Sequence, residues 1–194
     1  MSRIVFLLEE RSMKVLLEGL LPRLYPDLPF LCVTFSGKQD LERGVPRKLR
    51  AWREPGVKFV VLRDNDGEDC QGLKERLCRL CEEGGRADAL VRIACQELEA
   101  WYLGDPAALA EAFGEEGLRR IGARARFRNP DTVVHPSAEV LKLIPEFQKV
   151  SGARRVAPYL GRNTNASPSF QALLRGLDRF AQGTGAQGSV GSGE

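Results

Sequence analysis

Val57-Lys58-Phe59-Val60-Val61-Leu62-Arg63-Asp64-Asn65-Asp66-Gly67-Glu68-Asp69-Cys70 is the stretch around which the rest of this chain is organised. An apolar, β-branched run ends abruptly at Asp64, and an Asp-x-Asp pair and a glycine follow. Such a run predicts a buried strand. Its carboxylates then sit at the strand's carboxyl end, the edge where open parallel sheets bind ligands. Acids this close repel one another unless a cation or a basic partner lies among them, so the loop is a candidate divalent-metal site. The same residues, Asp-Asn-Asp-Gly, are also strong turn chemistry, and the sequence weighs the two readings equally.

Outward from this stretch, strand-like and helix-like segments alternate. Arg3 to Leu8 reads as a first strand. Ser12 to Leu24 follows with Met13, Leu16, Leu17, Leu20, Leu21 and Leu24 on one helical stripe. Phe30 to Phe35 is a second strand, and Asp40 to Trp52 a helix that Pro46 should break. After the third strand, Asp69 to Glu83 is a helix stopped by Gly84-Gly85. Ala89 to Cys95 is a fourth strand, Glu97 to Leu103 a short helix, and Asp105-Pro106 opens a helix to about Phe113. Helical crossovers of this length join parallel strands with right-handed connections. The fold class is therefore α/β, a doubly wound sheet of about four parallel strands, over residues 1–114.

Beyond Gly114 strand-like runs vanish. Helical patches at 115–121, 137–144, 152–160 and 167–181 form a C-terminal helical extension that should pack on the sheet domain. Residues 182–194, rich in Gly, Ser and Gln, read as a flexible tail. The extension is basic, with ten Arg and two Lys against six acids in 115–181. The front half has seventeen bases against nineteen acids, and the whole chain has a net charge of +3. That asymmetry suits a metal site beside a polyanion-binding surface, although a solvated arginine-rich helical face explains it as well.

No apolar run approaches the ~20 residues of a membrane span, and the first residues lack a signal-peptide cleavage pattern. Five cysteines, Cys32, Cys70, Cys78, Cys81 and Cys95, are odd in number and irregularly spaced. They read as reduced core residues of a cytoplasmic protein, the lone Cys78-x-x-Cys81 included. His135 is the only histidine, which disfavours triads and multi-histidine zinc sites, and its neighbours Val134 and Pro136 suggest a packed loop. No GxGxxG or GxxxxGK[ST] motif is present.

The acids share a registry. Glu9 and Glu10 close the first strand, Asp64 and Asp66 the third, and Glu97 and Glu99 follow the fourth. In a parallel sheet these ends share one rim, and an all-oxygen ligand set favours Mg²⁺ or Mn²⁺. Glu9 and Glu10 could instead complement a helix dipole. Glu97 and Glu99 are two apart, so only one faces the rim unless the helix begins after Glu97.

A Glu closing strand one, Asp-x-Asp closing strand three and four βα units resemble the Toprim fold of topoisomerases, primases and overcoming-lysogenization-defect nucleases. Phe6-Leu7-Leu8-Glu9-Glu10, Ser36-Gly37-Lys38-Gln39-Asp40-Leu41, Arg63-Asp64-Asn65-Asp66, Glu97-Leu98-Glu99-Ala100-Trp101-Tyr102-Leu103-Gly104-Asp105 and Asn165-Ala166-Ser167-Pro168-Ser169-Phe170 resemble more closely one Toprim-like bacterial family, domain of unknown function 4276. The likeness spans about Arg3 to Phe180, and Glu-x-Glu-Ala-Trp is its most specific piece.

The resemblance implies a Mg²⁺- or Mn²⁺-dependent nuclease acting on DNA or RNA. Glu9 matches a metal ligand or general acid/base, and Asp64 and Asp66 match the metal-binding pair. Glu99 matches a ligand of a second metal, with Glu97 as the lesser candidate. Lys149 is the candidate for a catalytic lysine late in the chain, and Lys38, Arg154 and Arg155 are candidate phosphate contacts. Many Toprim nucleases carry Gly right after the first Glu and an Asp four residues after it. Here Glu10 and Met13 stand there, one ligand fewer, which motivates an alternative: a catalytically weak binding or regulatory subunit. The same likeness implies an ABC- or AAA-type ATPase as partner and a setting in phage defence. A small phosphate-ester hydrolase is a third reading of the same site.

Overall fold

The computed structural model describes residues 3–185. Four strands, β1 (Ile4–Leu8), β2 (Phe30–Thr34), β3 (Lys58–Asp64) and β4 (Leu90–Ala94), form one parallel sheet in the order β2-β1-β3-β4. Leu8 lies opposite Thr34 on one side and Leu62 on the other. β3 runs two residues further, so that Asp64 faces Ala94.

Alternate residues of each strand serve different cores. Ile4, Phe6, Leu8, Val60, Leu62 and Ala94 face one layer of helices, and Val5, Leu7, Phe59, Val61 and Ile93 face the other. Both faces are covered, which is why the strands read as continuous apolar runs rather than alternating ones.

α2 (Lys38–Ala51) and α3 (Cys70–Glu83) cover the second face. α2 runs unbroken through Pro46, contrary to the expected break. A proline inside a helix costs about 3 kcal/mol. Leu41, Val45 and Leu49, spaced by four, are all buried against the sheet, and each contributes roughly 1.5–3 kcal/mol. Burial on both sides of the proline outweighs the lost hydrogen bond.

α1 (Arg11–Leu24) covers the first face and buries its predicted stripe. The helical extension completes that layer: α6 (Pro136–Leu143), α7 (Lys149–Val156) and α8 (Pro168–Gly185) share one hydrophobic cluster with β1 and α1. The 115–121 patch forms a 3-10 helix, Glu116–Ala123, rather than an α-helix. α7 begins three residues before the expected patch and α8 runs past Ala181 to Gly185. The rest of the expected tail, 186–194, lies outside the described residues.

α1 and α7 touch closely: a Cβ on Gly19 would stand 2.7 Å from the Ala157 Cβ. Gly19 is nine residues after Glu10, and Ala157 eight after Lys149. Lys149 Nζ lies 3.8 Å from Glu10 Oε2, so the two contacts together show the helices running side by side in the same direction.

Asp105 ties the later loops down. It caps α5 (Pro106–Phe113) by accepting from the Ala108 amide at 3.1 Å, and it also accepts from the Gly161 amide (2.8 Å) and the Thr164 hydroxyl (2.7 Å). Asp105 is buried, so Asp105→Ala strands three donors at once. We expect a loss of about 2–4 kcal/mol in urea unfolding; a loss below about 1 kcal/mol would show that the loop is held by other contacts.

Candidate metal centre

The acids of the carboxyl rim converge. Glu9 follows β1, and its Oε2 accepts from the Asp64 backbone amide at 3.1 Å. Glu10 stands just ahead of α1 and takes the Ser12 hydroxyl on Oε1, while its Oε2 lies 3.8 Å from Lys149 Nζ. Asp64 ends β3 and is 3 % exposed; Glu99 opens the short helix α4 (Glu99–Leu103) and is 0 % exposed.

Asp64 Oδ1, both Glu99 carboxylate oxygens and the Tyr102 hydroxyl are buried with no hydrogen-bond partner. An unpaired buried carboxylate costs several kcal/mol. These are the donors a hard cation takes.

The electrostatics agree. Burial first, then Glu99, Glu10 and Glu9, hold the Asp64 carboxyl well above the usual carboxylate range, and Lys149 alone opposes them. Burial pushes Glu99 up to about 7 against the pull of Lys149. Burial also raises Glu9, partly offset by the Asp64 amide. Burial would lower Lys149, but Glu99, Glu10, Asp64 and Glu97 together outweigh it and keep the ammonium charged.

Among the described residues no group of three or more His, Cys, Asp or Glu side chains is placed to hold a metal ion. Magnesium needs none: it keeps several waters and takes one or two protein carboxylates. Asp64 and Glu99 fit such an ion.

The other predicted residues divide. Asp66 lies on the same rim in a left-handed backbone conformation (φ 47°), and Lys38, at the start of α2, reaches its Oδ2 at 3.3 Å. α4 begins after Glu97, so Glu97 and Glu99 part company: Glu97 Oε2 accepts from the Ser137 amide at 2.6 Å and caps α6. Arg154 is exposed on α7. Arg155 turns away from the rim, donating to the Ala112 carbonyl (3.0 Å) and stacking 4.0 Å over Phe113. His135 is exposed rather than packed, with φ 53° ahead of α6. Cys81 is buried and Cys78 half-buried, and the cysteines of the described chain are free thiols.

Two further residues belong here: Glu10, which the sequence placed on the rim without a ligand role, and Tyr102, which it left unassigned. Glu10 acts on Glu9, Asp64, Glu99 and Lys149 alike. Tyr102 is fully buried, and the charges that bear on it are Glu99, Glu10 and Asp64. Its signal was the i, i+3 spacing from Glu99, which stacks both on one helix face.

The quoted motif pieces meet around α4. Asn165 donates to the Trp101 carbonyl (2.7 Å), Trp101 Nε1 donates to Ser169 Oγ (2.8 Å), and the Phe170 ring packs edge-on to Trp101 at 5.4 Å. They orient α4, and with it Glu99 and Tyr102. Arg63, fully buried, pairs with Glu42 and Glu68 and places its Nε 3.8 Å from Glu9 Oε2.

A four-stranded parallel sheet with an acidic carboxyl rim and a helical C-terminal layer defines a Toprim-like α/β protein. The family described as Domain of unknown function (DUF4276) matches residues 8–178, and the chain belongs to that family. No curated protein matches it. Among solved structures it is similar to the C-terminal region of the Burkholderia pseudomallei OLD protein, with 17 % identity, a TM-score of 0.59, and 93 % of this chain and 98 % of that one covered. Two structures of the C-terminal region of the Xanthomonas campestris pv. campestris OLD protein are similar too. Their TM-scores are 0.54 and 0.52 and their identities 17 % and 18 %, over 94 % of this chain and 98 % of each of those. At these identities the likeness is one of fold. No helix among the described residues is long and apolar enough to cross a membrane.

Proposed function

We propose that this protein is a Mg²⁺- or Mn²⁺-dependent nuclease that hydrolyses phosphodiester bonds of DNA or RNA. The observation that carries this is the set of buried, unpartnered carboxylate oxygens, Asp64 Oδ1 and both of Glu99, beside the Lys149 ammonium.

Asp64 and Glu99 would hold the ion, and Glu9, Glu10 and Asp66 are the further acids of the same rim. A divalent ion there supplies Lewis-acid polarisation of a phosphoryl oxygen and a more acidic water. Glu9 is fixed through Oε2, and its Oε1 takes the proton of the attacking water; burial keeps its pKa raised, as suits a base. Lys149 faces the charge that grows on the phosphate. Lys38 binds the flanking phosphate when it leaves Asp66. The basic surface is smaller than the charge count suggests, because Arg119, Arg126 and Arg162 have intramolecular acid partners. Exposed Arg120, Arg124, Arg128 and Arg154 are the candidates for the nucleic-acid backbone.

Calorimetric titration with Mn²⁺, followed by cleavage assays on single- and double-stranded DNA and RNA, tests this reading. Lys149→Met should lower cleavage about 100-fold while Mn²⁺ binds as tightly or more tightly, since a competing positive charge is gone. Absence of Mn²⁺ binding to the wild type would reject the metal centre.

One observation favours the second reading, a binding or regulatory subunit of an ATPase complex: Met13 is fully buried in the apolar core, so α1 brings no acid from that position. Tight Mn²⁺ binding with no turnover on any nucleic acid would select it over the nuclease.

A further inference from the structure

Two thiols stand together beside the metal loop. Cys70 is the first residue of α3, Cys95 follows β4, and their Sγ atoms are 3.4 Å apart. Both are partly exposed, whereas Cys32 and Cys81 are buried.

The pair brackets the loop that carries the acids. The Asn65 amide donates to the Ala94 carbonyl (3.3 Å) and the Asp66 amide to the Gln96 carbonyl (2.9 Å). The residues on either side of Cys95 thus hold one end of a loop whose other end is Cys70. A disulfide bond of about 2.05 Å asks the two sulfurs to close by about 1.4 Å. Reading every cysteine as an inert core residue does not account for this pair.

We propose that Cys70 and Cys95 form a reversible dithiol–disulfide site, oxidised by a hydroperoxide, which staples the Asp64–Asp66 loop to the end of β4. Cys70, the first residue of α3, sits at a helix N-terminus, where a thiolate is favoured, and so meets the oxidant first. The Cys70 sulfur attacks a peroxide oxygen and the O–O bond breaks. The alkoxide leaves and takes a proton as an alcohol, and Cys70 becomes a sulfenic acid. The Cys95 sulfur then attacks Cys70, the S–S bond forms, and the hydroxyl leaves with the Cys95 proton as water. Two thiols lose two electrons and one hydroperoxide gains them. A thiol reductant reverses the step.

The test uses the full chain in chelator, so it stands or falls apart from the metal reading. Reduced protein is treated with hydrogen peroxide, then alkylated, peptide-mapped and followed by amide hydrogen exchange. The expected result is loss of two alkylation sites, a Cys70–Cys95 cross-linked peptide that dithiothreitol removes, and exchange slowed about tenfold or more at residues 65–69. In Cys95→Ser, which has no resolving sulfur, Cys70 should instead be trapped as a sulfenic acid by a dimedone probe. Cys70 accumulating as a sulfinate while Cys95 still alkylates, or a cross-link between other cysteines, would overturn the site. A Cys70–Cys95 bond that leaves loop exchange unchanged would overturn the staple.

Discussion

Asp64→Asn abolishes metal-dependent cleavage, by at least about 100-fold, and leaves the metal-free protein no less stable than the wild type. The two side chains have nearly the same shape, so β3 and its pairing with Ala94 persist. What changes is charge. Asp64 is buried among Glu9, Glu10 and Glu99, and one of its oxygens has no partner. Replacing that carboxyl with an amide removes a group whose charged form burial and its acidic neighbours disfavour, and takes away an oxygen ligand for the ion. A hundredfold loss corresponds to about 2.7 kcal/mol of transition-state stabilisation, modest for the removal of a metal ligand.

Thermal melts give a readout free of turnover. At a Mn²⁺ concentration about 100 times its Kd, the wild type gains about 2.7 kcal/mol, and Asp64→Asn gains none. Cleavage at wild-type rates by this variant would remove Asp64 from the chemistry. A full Mn²⁺-induced rise in Tm would remove it from the ligand set.

The second large effect is a stability that falls with rising pH in the metal-free protein. Folded Glu99 keeps its proton up to about 7 because burial disfavours its charged form, whereas the unfolded chain releases that proton near the ordinary value of 4.5. Between those values the folded state binds more protons than the unfolded state, so unfolding becomes easier as pH rises. The stability is fully present below about 4.5 and is lost as pH approaches 7. The largest possible change from Glu99 is about 3 kcal/mol, and Asp64 shifts in the same direction.

Melts in chelator at pH 5, 6 and 7 should show a steadily falling Tm. Glu99→Gln, neutral throughout, should flatten the slope, and saturating Mn²⁺ should weaken or reverse it because the ion binds the ionised carboxylates. A Tm in chelator that stays level or climbs from pH 5 to 7 would contradict the burial of an unpartnered Glu99.

Much of this architecture is legible along the chain, because it is written in local periodicities. The four strands, the α1 stripe, the Asp105 cap and the carboxyl-end placement of Glu9, Asp64 and Asp66 each follow from a few neighbouring residues. Pro46 misled because a proline's local cost is visible in sequence, whereas the burial of Leu41, Val45 and Leu49 that offsets it depends on the sheet beneath. Arg155 misled for a related reason. An arginine shows its charge in sequence, but not that its guanidinium is already spent on a helix-end carbonyl and a phenylalanine ring.

The sequence by itself determined an α/β chain with acids at the ends of parallel strands, since strand period and turn chemistry are properties of adjacent residues. Only the tertiary structure decided which acids lack partners. Glu97 is consumed by the α6 amide and Glu99 is left bare because α4 starts two residues after Glu97, while the Gly19–Ala157 contact brings Lys149, some 140 residues on, to Glu10. Burial and the sharing of hydrogen-bond donors are properties of the packed whole, and no stretch of residues carries them alone.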